Sequence, residues 1–549
     1  MPDFPALDIV GLSGRFYPLM SQHPQVYIYD TTLRDGTQGQ GFHLSSLDKL
    51  RIAERLDAFG MHYIEGGWPG SNPKDVDFFA EARKRTWKHA KIAAFGSTRR
   101  ADRKIDDDPQ IQTLLAAETP VITFFGKSWR LHVTEVLRTT VEENRAMIAD
   151  TAQCFKSHGR EVVYDAEHFF DGFKDEPEHA LGTLLAAQEG GADIAVLCDT
   201  NGGTLPSEVF EICRLVQARL RIPVGIHTHD DCGLGVANAL AAVAAGAVHV
   251  QGTVNGYGER VGNCNLTSLI PTLQLKMSRP VVPDLTRLRE LSYFVDDTAN
   301  CEHNPRQPHV GTTAFAHKGG MHVNAVQKLA RTYEHIDPVL VGNHQNILVS
   351  ELSGQSNILM KAAELGLPMD KNDDAVKRVL QRIKDLEKEG YSFEAAGASL
   401  ELLLRKETGR HVPVFELLEY GCGFRHFEDK HAPVCEATVK LRVKGVEEYT
   451  VANGRGVVAA LDAALRKCLR PFYPEVDLVQ LRDYKVRIID GSAATNAVTR
   501  VLVLSSDGTR TWGTVGVSGN IVEASWLALV DSLDIFLQRA ANAPAPDHA

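Results

Sequence analysis

Two histidines in the segment GIHTHDD, His227 and His229, have the types and spacing of metal ligands. They follow an apolar run, and alternate side chains of a strand point to the same side, so both imidazoles can face one site. Two imidazoles and one carboxylate bind a divalent metal and leave positions open for a substrate. Asp35 is the best candidate for the carboxylate, and Asn263 could add a carbonyl oxygen. The alternative is that both histidines are hydrogen-bonded groups of the core.

Arg34, next to Asp35, would bring a positive charge to such a metal. A metal with open positions can act as a Lewis acid on a carbonyl substrate, and an α-keto acid would chelate it through its keto oxygen and carboxylate. Arg34 would stabilise the negative charge that develops on the keto oxygen. Thr200 could donate a hydrogen bond to the substrate carboxylate. An ion pair of Arg34 with Asp30 or Asp35 is the alternative, and it is compatible with this role.

Eight short β-like segments, each followed by a helical pattern, would have to position these side chains. Their starts are 26 to 41 residues apart, which suits one strand plus one helix. Eight such units over about 250 residues predict an α/β fold of the (β/α)8 TIM-barrel type. An open doubly wound sheet is the alternative, but no glycine-rich dinucleotide-binding turn follows the first segment. The segments are VYIYD (26–30), HYIEGG (62–67), KIAAFG (91–96), PVITFFG (120–126), EVVYDAEHF (161–169), DIAVLCDT (193–200), PVGIHTH (223–229) and HVQGTVNG (249–256).

Polar residues follow most of these segments, and a barrel would bring them together at one mouth. Enzymes of this fold carry their working residues at the carboxyl ends of the strands. The candidates in chain order are Asp30, Arg34, Asp35, Glu65, Asp165, Glu167, Asp199, Thr200, His227, His229, Asn255, Glu259, Arg260 and Asn263.

Beyond the barrel, predicted over residues 26–285, the pattern changes twice. Residues 286–425 are typical of a helical linker subdomain, with helical stretches such as DDAVKRVLQRIKDLEKEG. Residues 430–540 hold an internal repeat, because GRGVVAALDAAL resembles SGNIVEASWLAL and each follows alternating β-like sequence. Two units of strands followed by a helix predict a pseudo-symmetric α+β domain. Residues 1–25 are expected to be an N-terminal extension.

Composition limits the class of protein. The chain has 549 residues with 44% hydrophobic content, ordinary for a globular protein of several domains. Its net charge of −11 argues against broad nucleic-acid binding, so an anionic substrate would need a local basic pocket. Nine cysteines without a CxxC pair suggest reduced thiols and a cytoplasmic protein. The apolar runs are too short for a membrane span, and the N-terminus makes a poor signal peptide.

Four motifs together resemble the family of α-isopropylmalate, homocitrate and citramalate synthases. They are DTTLRDGTQ, HTHDDCGLGVAN, GYGERVGNCNL and FAHKGGMHVNAV, and the resemblance extends from about residue 26 to 540. Within the family, CDTNGGTLP and YDAEHFFDGFK are most similar to the citramalate synthase branch. The C-terminal repeat is similar to the regulatory domain of the family, which binds an end-product amino acid.

The resemblance implies an acyltransferase that condenses acetyl-CoA with pyruvate to (R)-citramalate in isoleucine biosynthesis. A metal holds the oxo acid, a base removes a proton from the acetyl methyl group, and water hydrolyses the thioester. Arg34 matches the arginine that polarises the keto oxygen, and Glu167 matches the catalytic glutamate. His322 and Tyr333 match a histidine and a tyrosine that reach the barrel of the other subunit, so a homodimer is implied. The residues that match the metal set are Asp35, His227, His229 and Asn263.

Several points stay open. A 2-isopropylmalate synthase using 2-oxoisovalerate is the runner-up for the function, although Thr37 stands where many of these enzymes carry a glutamate. A lyase or aldolase and a non-catalytic amino-acid sensor on an inactive barrel are further alternatives. The metal could be magnesium, manganese, cobalt or zinc, the effector is expected to be isoleucine, and His317 rivals His322. Arg99, Arg100 and Lys127 could meet the phosphates of CoA, although a solvated surface is the plainer interpretation for each.

Overall fold

The computed structural model describes residues 24–350, 353–425, 434–490 and 497–541. The predicted N-terminal extension therefore lies outside the described residues, except for its last two. The chain divides into two compact units, one formed by residues up to 315 with 336–344, the other by residues 316–335 with those from 345 onward.

The first unit is a closed barrel of eight parallel strands, as the sequence predicts. Each predicted segment contains one strand, and the strands pair in chain order until β1 meets β8. Tyr29 and Tyr63 fill the interior with small and β-branched side chains from the neighbouring strands. The strands are β1 Tyr27–Asp30, β2 Tyr63–Gly67, β3 Lys91–Ser97, β4 Val121–Lys127, β5 Glu161–Glu167, β6 Ile194–Asp199, β7 Val224–Thr228 and β8 His249–Gly252.

Helices surround the barrel and bury their apolar faces against the outer sides of the strands. The first of them shows how local sequence sets its ends. Ser45 and Asp48 form a capping box at its start, and Gly60 ends it in the left-handed region at φ 101°. The helices are α1 Ser46–Phe59, α2 Pro73–Ala82, α3 Pro109–Ala116, α4 Val141–Ser157, α5 Phe169–Asp175, α6 Pro177–Glu189, α7 Pro206–Gln217, α8 Gly235–Ala245, α9 Leu266–Lys276 and α10 Leu288–Ala299.

The second unit begins with a small parallel pair of strands, β9 Ala316–His317 and β10 Asn346–Ile347. Four α-helices belong to it before the repeat, among the residues that the structure describes. The predicted helix in DDAVKRVLQRIKDLEKEG is the third of them, and it buries one apolar stripe. The helices are α11 Gly320–Lys328, α12 Gln355–Glu364, α13 Asp374–Glu389 and α14 Gly397–Glu407.

The internal repeat forms two copies of one arrangement, a three-stranded antiparallel sheet followed by a helix. The helix of each copy packs on its own sheet. The alternating sequence alone predicts this domain from residue 430, whereas its first strand already begins at Glu416. The first copy is β11 Glu416–Arg425, β12 Val434–Val443, β13 Val446–Gly454 and α15 Val457–Leu469; the second is β14 Gln480–Ile488, β15 Thr499–Ser506, β16 Thr511–Ser518 and α16 Ile521–Ala541.

Among the described helices, none has the length and apolar character that a membrane crossing requires.

Candidate active site

The turn after β1 brings Arg34 and Asp35 to the carboxyl end of the barrel. The backbone N–H groups of both residues donate to the carbonyl of Thr31, which makes the turn tight. The carboxylate of Asp30 accepts bonds from the backbone and hydroxyl of Thr32 and fixes the start of this turn. Burial raises the pKa of Asp30 to about 7 despite these bonds. Asp30 therefore acts as a structural group beneath the site.

The two histidines and Asp35 meet at this mouth, although β8 lies between the strands that carry them. The Nε2 atoms of His227 and His229 are 3.3 Å apart, and Asp35 Oδ2 is 3.4 Å from His227 Nε2. The possible ligand atoms all lie within 4.8 Å of one another, and all three residues are buried. Ligand atoms about 2.0–2.1 Å from one ion are separated by roughly 2.8–3.0 Å in octahedral and 3.3–3.4 Å in tetrahedral geometry. The spacing therefore fits a single metal ion.

The charge states of this cluster also suit a metal. Burial, with His227 nearby, lowers the pKa of His229 to about 3, so this imidazole is neutral at neutral pH. Burial alone would raise the pKa of Asp35, but Arg34 and the two histidines outweigh it, and the pKa falls below its ordinary value. A neutral imidazole and an ionised carboxylate are the forms that bind divalent cations.

Asn263 lies against the same cluster. It forms an isolated backbone bridge with His229, which ties the loop after β8 to the end of β7. Its Oδ1 atom is buried and accepts no hydrogen bond from the described residues. Nδ1 of His229 is also buried and has no hydrogen-bond partner among these residues. A buried amide oxygen without a donor is costly unless a cation or water satisfies it. Asn263 Oδ1 is therefore available as a further oxygen ligand.

Arg34 is held between an acid and an aromatic ring. Its Nε donates to Glu65 Oε1 at 2.5 Å, and its Nη1 is 3.4 Å from Asp35 Oδ1. The guanidinium carbon lies 3.7 Å from the centre of the Phe95 ring. Tyr29 donates to the second oxygen of Glu65 at 2.7 Å. The expected ion pair of Arg34 thus involves Asp35 and, more closely, Glu65.

Glu167 and Thr200 lie on the same rim. Glu167, at the end of β5, forms an ion pair with Lys127, its register partner at the end of β4. The hydroxyl oxygen of Thr200 accepts from the backbone of His168 at 2.9 Å, which leaves its own proton free to donate. His168 holds this position with a left-handed φ of 56°.

Two of the three residues suggested for CoA phosphates are already paired. Arg99 is buried and forms ion pairs at 2.7 Å with Glu143 and Asp150, and Lys127 is bound to Glu167. These contacts contradict a phosphate role for Arg99 and give Lys127 a different partner. The side chain of Arg100 is exposed.

His322 and Tyr333 belong to the second unit. Their rings stack with centroids 4.3 Å apart, and both side chains are exposed. The rival His317 is buried and lies 3.2 Å from Glu334, which occupies its Nε2. An exposed, stacked imidazole is accessible to a reacting group, whereas His317 has a structural partner.

The sequence patterns do not point to Gln251. It lies inside β8, is fully buried, and contacts both His227 and Asp165. The only signal in the sequence is a polar residue in the middle of an apolar strand segment, HVQGT.

Comparisons with known proteins agree with this architecture. The HMGL-like family model matches residues 25–295, the homocitrate synthase post-HMGL domain-like model matches 309–391, and the LeuA allosteric (dimerisation) domain model matches 394–537. An (R)-citramalate synthase of Aquifex aeolicus (strain VF5) is 55% identical over 93% of this chain and 97% of its own length.

Two further relatives, of different activity, differ in their sequence identity to this chain. An (R)-citramalate synthase of Geobacter sulfurreducens is 51% identical over 94% of this chain and 98% of its own length. A 2-isopropylmalate synthase of Methanocaldococcus jannaschii is 30% identical over 94% of this chain and 95% of its own length. The barrel, with its arginine, carboxylates and paired imidazoles, defines an HMGL-like enzyme, and these relatives show that it is of the acyltransferase type. Within that class, the chain belongs to the (R)-citramalate synthase family of amino-acid biosynthesis.

Proposed function

We propose that this enzyme condenses acetyl-CoA with pyruvate and water to give (R)-citramalate and CoA, in the isoleucine branch of amino-acid biosynthesis. The observation that carries the proposal is the 55% identity to an (R)-citramalate synthase over 93% of the chain. The 30% identity to a 2-isopropylmalate synthase makes that runner-up activity the weaker candidate.

The oxo acid would bind beside the cluster of Asp35, His227, His229 and Asn263, whose donor atoms and charges fit a divalent cation. When bound, such a cation polarises the keto group and neutralises developing negative charge. Arg34 would donate to the keto oxygen from its Nη groups, because its Nε is already bound to Glu65. Thr200 would donate its free hydroxyl proton to the substrate carboxylate.

Proton transfer would involve Glu167 of one chain with His322 and Tyr333 of the partner subunit. Glu167 would act at the acetyl methyl group, with one oxygen held by Lys127 and the other free to face the substrate. His322 has a side chain suited to transferring a proton near neutral pH, and Tyr333 would orient its ring by stacking on it. Attack of the acetyl enolate on the keto carbon forms the new bond, and water then cleaves the thioester to release CoA.

Aromatic side chains near Arg34 support a small oxo acid. Phe95 covers the guanidinium and stacks on Phe125, with ring centroids 5.6 Å apart. Trp68 meets both rings edge-on at 5.8 and 5.6 Å. We expect these rings to border the side chain of the oxo acid beside Arg34, which suits the methyl group of pyruvate better than a branched side chain. Each added methylene changes such selectivity by only about 1–3 kcal/mol.

Regulation and assembly are part of the same proposal. We propose that the enzyme is a cytoplasmic homodimer, and that isoleucine binds to the C-terminal domain and inhibits it. The match to the LeuA allosteric (dimerisation) domain supports dimerisation and an effector. The nine cysteines, none of which forms a disulfide in the described chain, suit a reducing compartment.

The test is release of free CoA thiol from acetyl-CoA with a panel of 2-oxo acids, before and after metal removal and with added isoleucine. We expect the largest kcat/KM with pyruvate, loss of turnover with a chelator, recovery with Mn²⁺ or Mg²⁺, and inhibition by isoleucine. A larger kcat/KM with 2-oxoisovalerate would contradict the pyruvate assignment. Absence of thiol release with every oxo acid and metal would favour the sensor alternative.

A further inference from the structure

Gln251 connects the metal cluster to a buried carboxyl group on the far side of the barrel axis. Its Oε1 lies 2.8 Å from His227 Nδ1, and its Nε2 donates to Asp165 Oδ1 at 2.9 Å. Gln251 is fully buried and Asp165 is 4% exposed. The three side chains come from β8, β7 and β5, and His227 and Gln251 are register partners on adjacent strands. They form one continuous chain of hydrogen bonds through the barrel interior.

This chain of hydrogen bonds runs in one direction, which is set by the groups that can donate. The Oδ1 atom of Asp165 receives the Gln251 amide, so the carboxamide must turn its N–H groups towards Asp165. The carbonyl oxygen of Gln251 then faces His227 and can only accept. His227 must therefore carry its proton on Nδ1, which leaves a lone pair on Nε2. A neutral carboxyl group at Asp165 keeps this direction when its carbonyl oxygen, and not its O–H group, faces Gln251.

The position of the Nε2 atom makes this choice of tautomer consequential. His227 Nε2 is 3.3 Å from His229 Nε2 and 3.4 Å from Asp35 Oδ2. A proton on His227 Nε2 would point into the space between these three ligand atoms and remove one of them from a bound ion. No hydrogen bond from the described residues fixes the tautomer of His229 in this way, since its Nδ1 has no partner among them.

We propose that Gln251 and Asp165 are positioning residues that hold His227 with its proton on Nδ1, so that Nε2 is a permanent metal ligand. The proposal rests on the metal role given above. Hydrogen bonds to the second nitrogen of a ligating histidine fix the ring and increase its basicity, and their loss costs about 10–100-fold in metal affinity. We therefore expect the two residues to act on metal affinity before they act on turnover.

Three variants of the full-length protein test the proposal. Gln251→Met keeps the volume and removes both hydrogen bonds. The double variant Gln251→Glu with Asp165→Asn exchanges the amide and the carboxylate, so that an acceptor still faces His227 and total charge is unchanged. His249→Gln is the matched control, because His249 lies on the same strand two residues away, faces the same interior, and has ring nitrogens that make no hydrogen bond with the described residues.

The readout is Mn²⁺ affinity of the metal-free protein, from the loss of the electron paramagnetic resonance signal of free Mn²⁺, with thermal melting to verify folding. We expect Gln251→Met to bind Mn²⁺ about 10–100-fold more weakly, and the exchanged pair and His249→Gln to stay near the wild-type affinity. A folded Gln251→Met with wild-type affinity would overturn the proposal, as would an exchanged pair that binds as weakly as Gln251→Met. Wild-type protein that binds no Mn²⁺, Co²⁺ or Zn²⁺ would refute the metal role itself, which is a distinguishable failure.

Discussion

Glu65 holds Arg34 in place from the neighbouring strand, so the charge of Glu65 can be removed without substituting Arg34 itself. The Glu65 side chain is fully buried, and it accepts from Arg34 Nε and from Tyr29. Glu65→Gln retains the size and one acceptor oxygen but removes the negative charge. Glu65→Ala removes the anchor altogether. In both variants Asp35 remains as the second acidic partner of Arg34.

The expected loss of stability follows from the burial of this pair. Removing one partner of a buried ion pair costs about 3–5 kcal/mol, and we expect this range for Glu65→Ala. A hydrogen bond to a charged group contributes about 1.5–3 kcal/mol. Burial raises the pKa of Glu65 despite the neighbouring Arg34, so desolvating this carboxylate is already costly. Glu65→Gln relieves that cost, and its loss of stability should fall at the low end of the second range.

From the proposed role of Arg34 at the keto oxygen, we expect these variants to lower kcat by a larger proportion than they lower stability. Loss of one donor to a developing oxyanion costs about 10²–10³ in kcat, which sets the upper limit for Glu65→Ala. In Glu65→Gln the guanidinium is held less firmly. We expect the activation free energy to rise by about 1.4 kcal/mol, which lowers kcat roughly tenfold. KM for acetyl-CoA should change little, since the anchor acts on the oxo-acid side of the site.

The assay is thiol release with pyruvate and acetyl-CoA, together with urea unfolding of each variant. Glu54→Gln is the control, because Glu54 pairs with Arg85 at 2.7 Å on the surface, where its side chain is 54% exposed. Exposed pairs contribute about 0–1 kcal/mol, and this variant should keep its kcat. If Glu65→Gln matched Glu54→Gln in both unfolding free energy and kcat, the conclusion that Glu65 anchors Arg34 for stability and turnover would be refuted.

Three further changes have defined outcomes. His227→Ala should abolish Mn²⁺ binding and nearly all turnover while melting as a folded protein, and full activity of chelator-treated wild type would contradict this. Burial lowers the pKa of His249 to about 3, so the stability from this neutral imidazole is complete above about pH 6.5 and is lost on acidification, by up to about 1.4 kcal/mol per pH unit. His249→Phe should therefore flatten the dependence of unfolding free energy on pH between about 6 and 4, and identical slopes in the two proteins would count against this account. A covalently linked dimer of His322→Ala and Arg34→Ala chains should regain activity at the one site that combines an intact barrel with an intact His322, and an inactive pair beside an active linked wild type would exclude action across the dimer.

Much of the fold could be predicted from the sequence. Each of the eight β-like segments contains one barrel strand, because buried parallel strands leave short apolar runs between helical patterns. The repeat near the C-terminus was visible as similar helical stretches after alternating residues, and both copies form a sheet and a helix. The start of that domain was placed too late because β11 (ELLEYGCGFR) reads as polar sequence without a buried face.

The sequence by itself determined the cluster of two histidines and a carboxylate at the barrel mouth, since strand ends follow from the pattern and closure brings those ends together. His227, His229 and Asp35 were expected at one site for this reason, and they lie within 4.8 Å of one another. Only the tertiary structure decided which side chains bind each other. Glu65 anchors Arg34, Lys127 pairs with Glu167, and Gln251 joins His227 to Asp165. These contacts cross between strands, so they depend on register and on the direction of each side chain inside the barrel. Local periodicity encodes neither, because residues far apart in sequence become neighbours only when the sheet has closed.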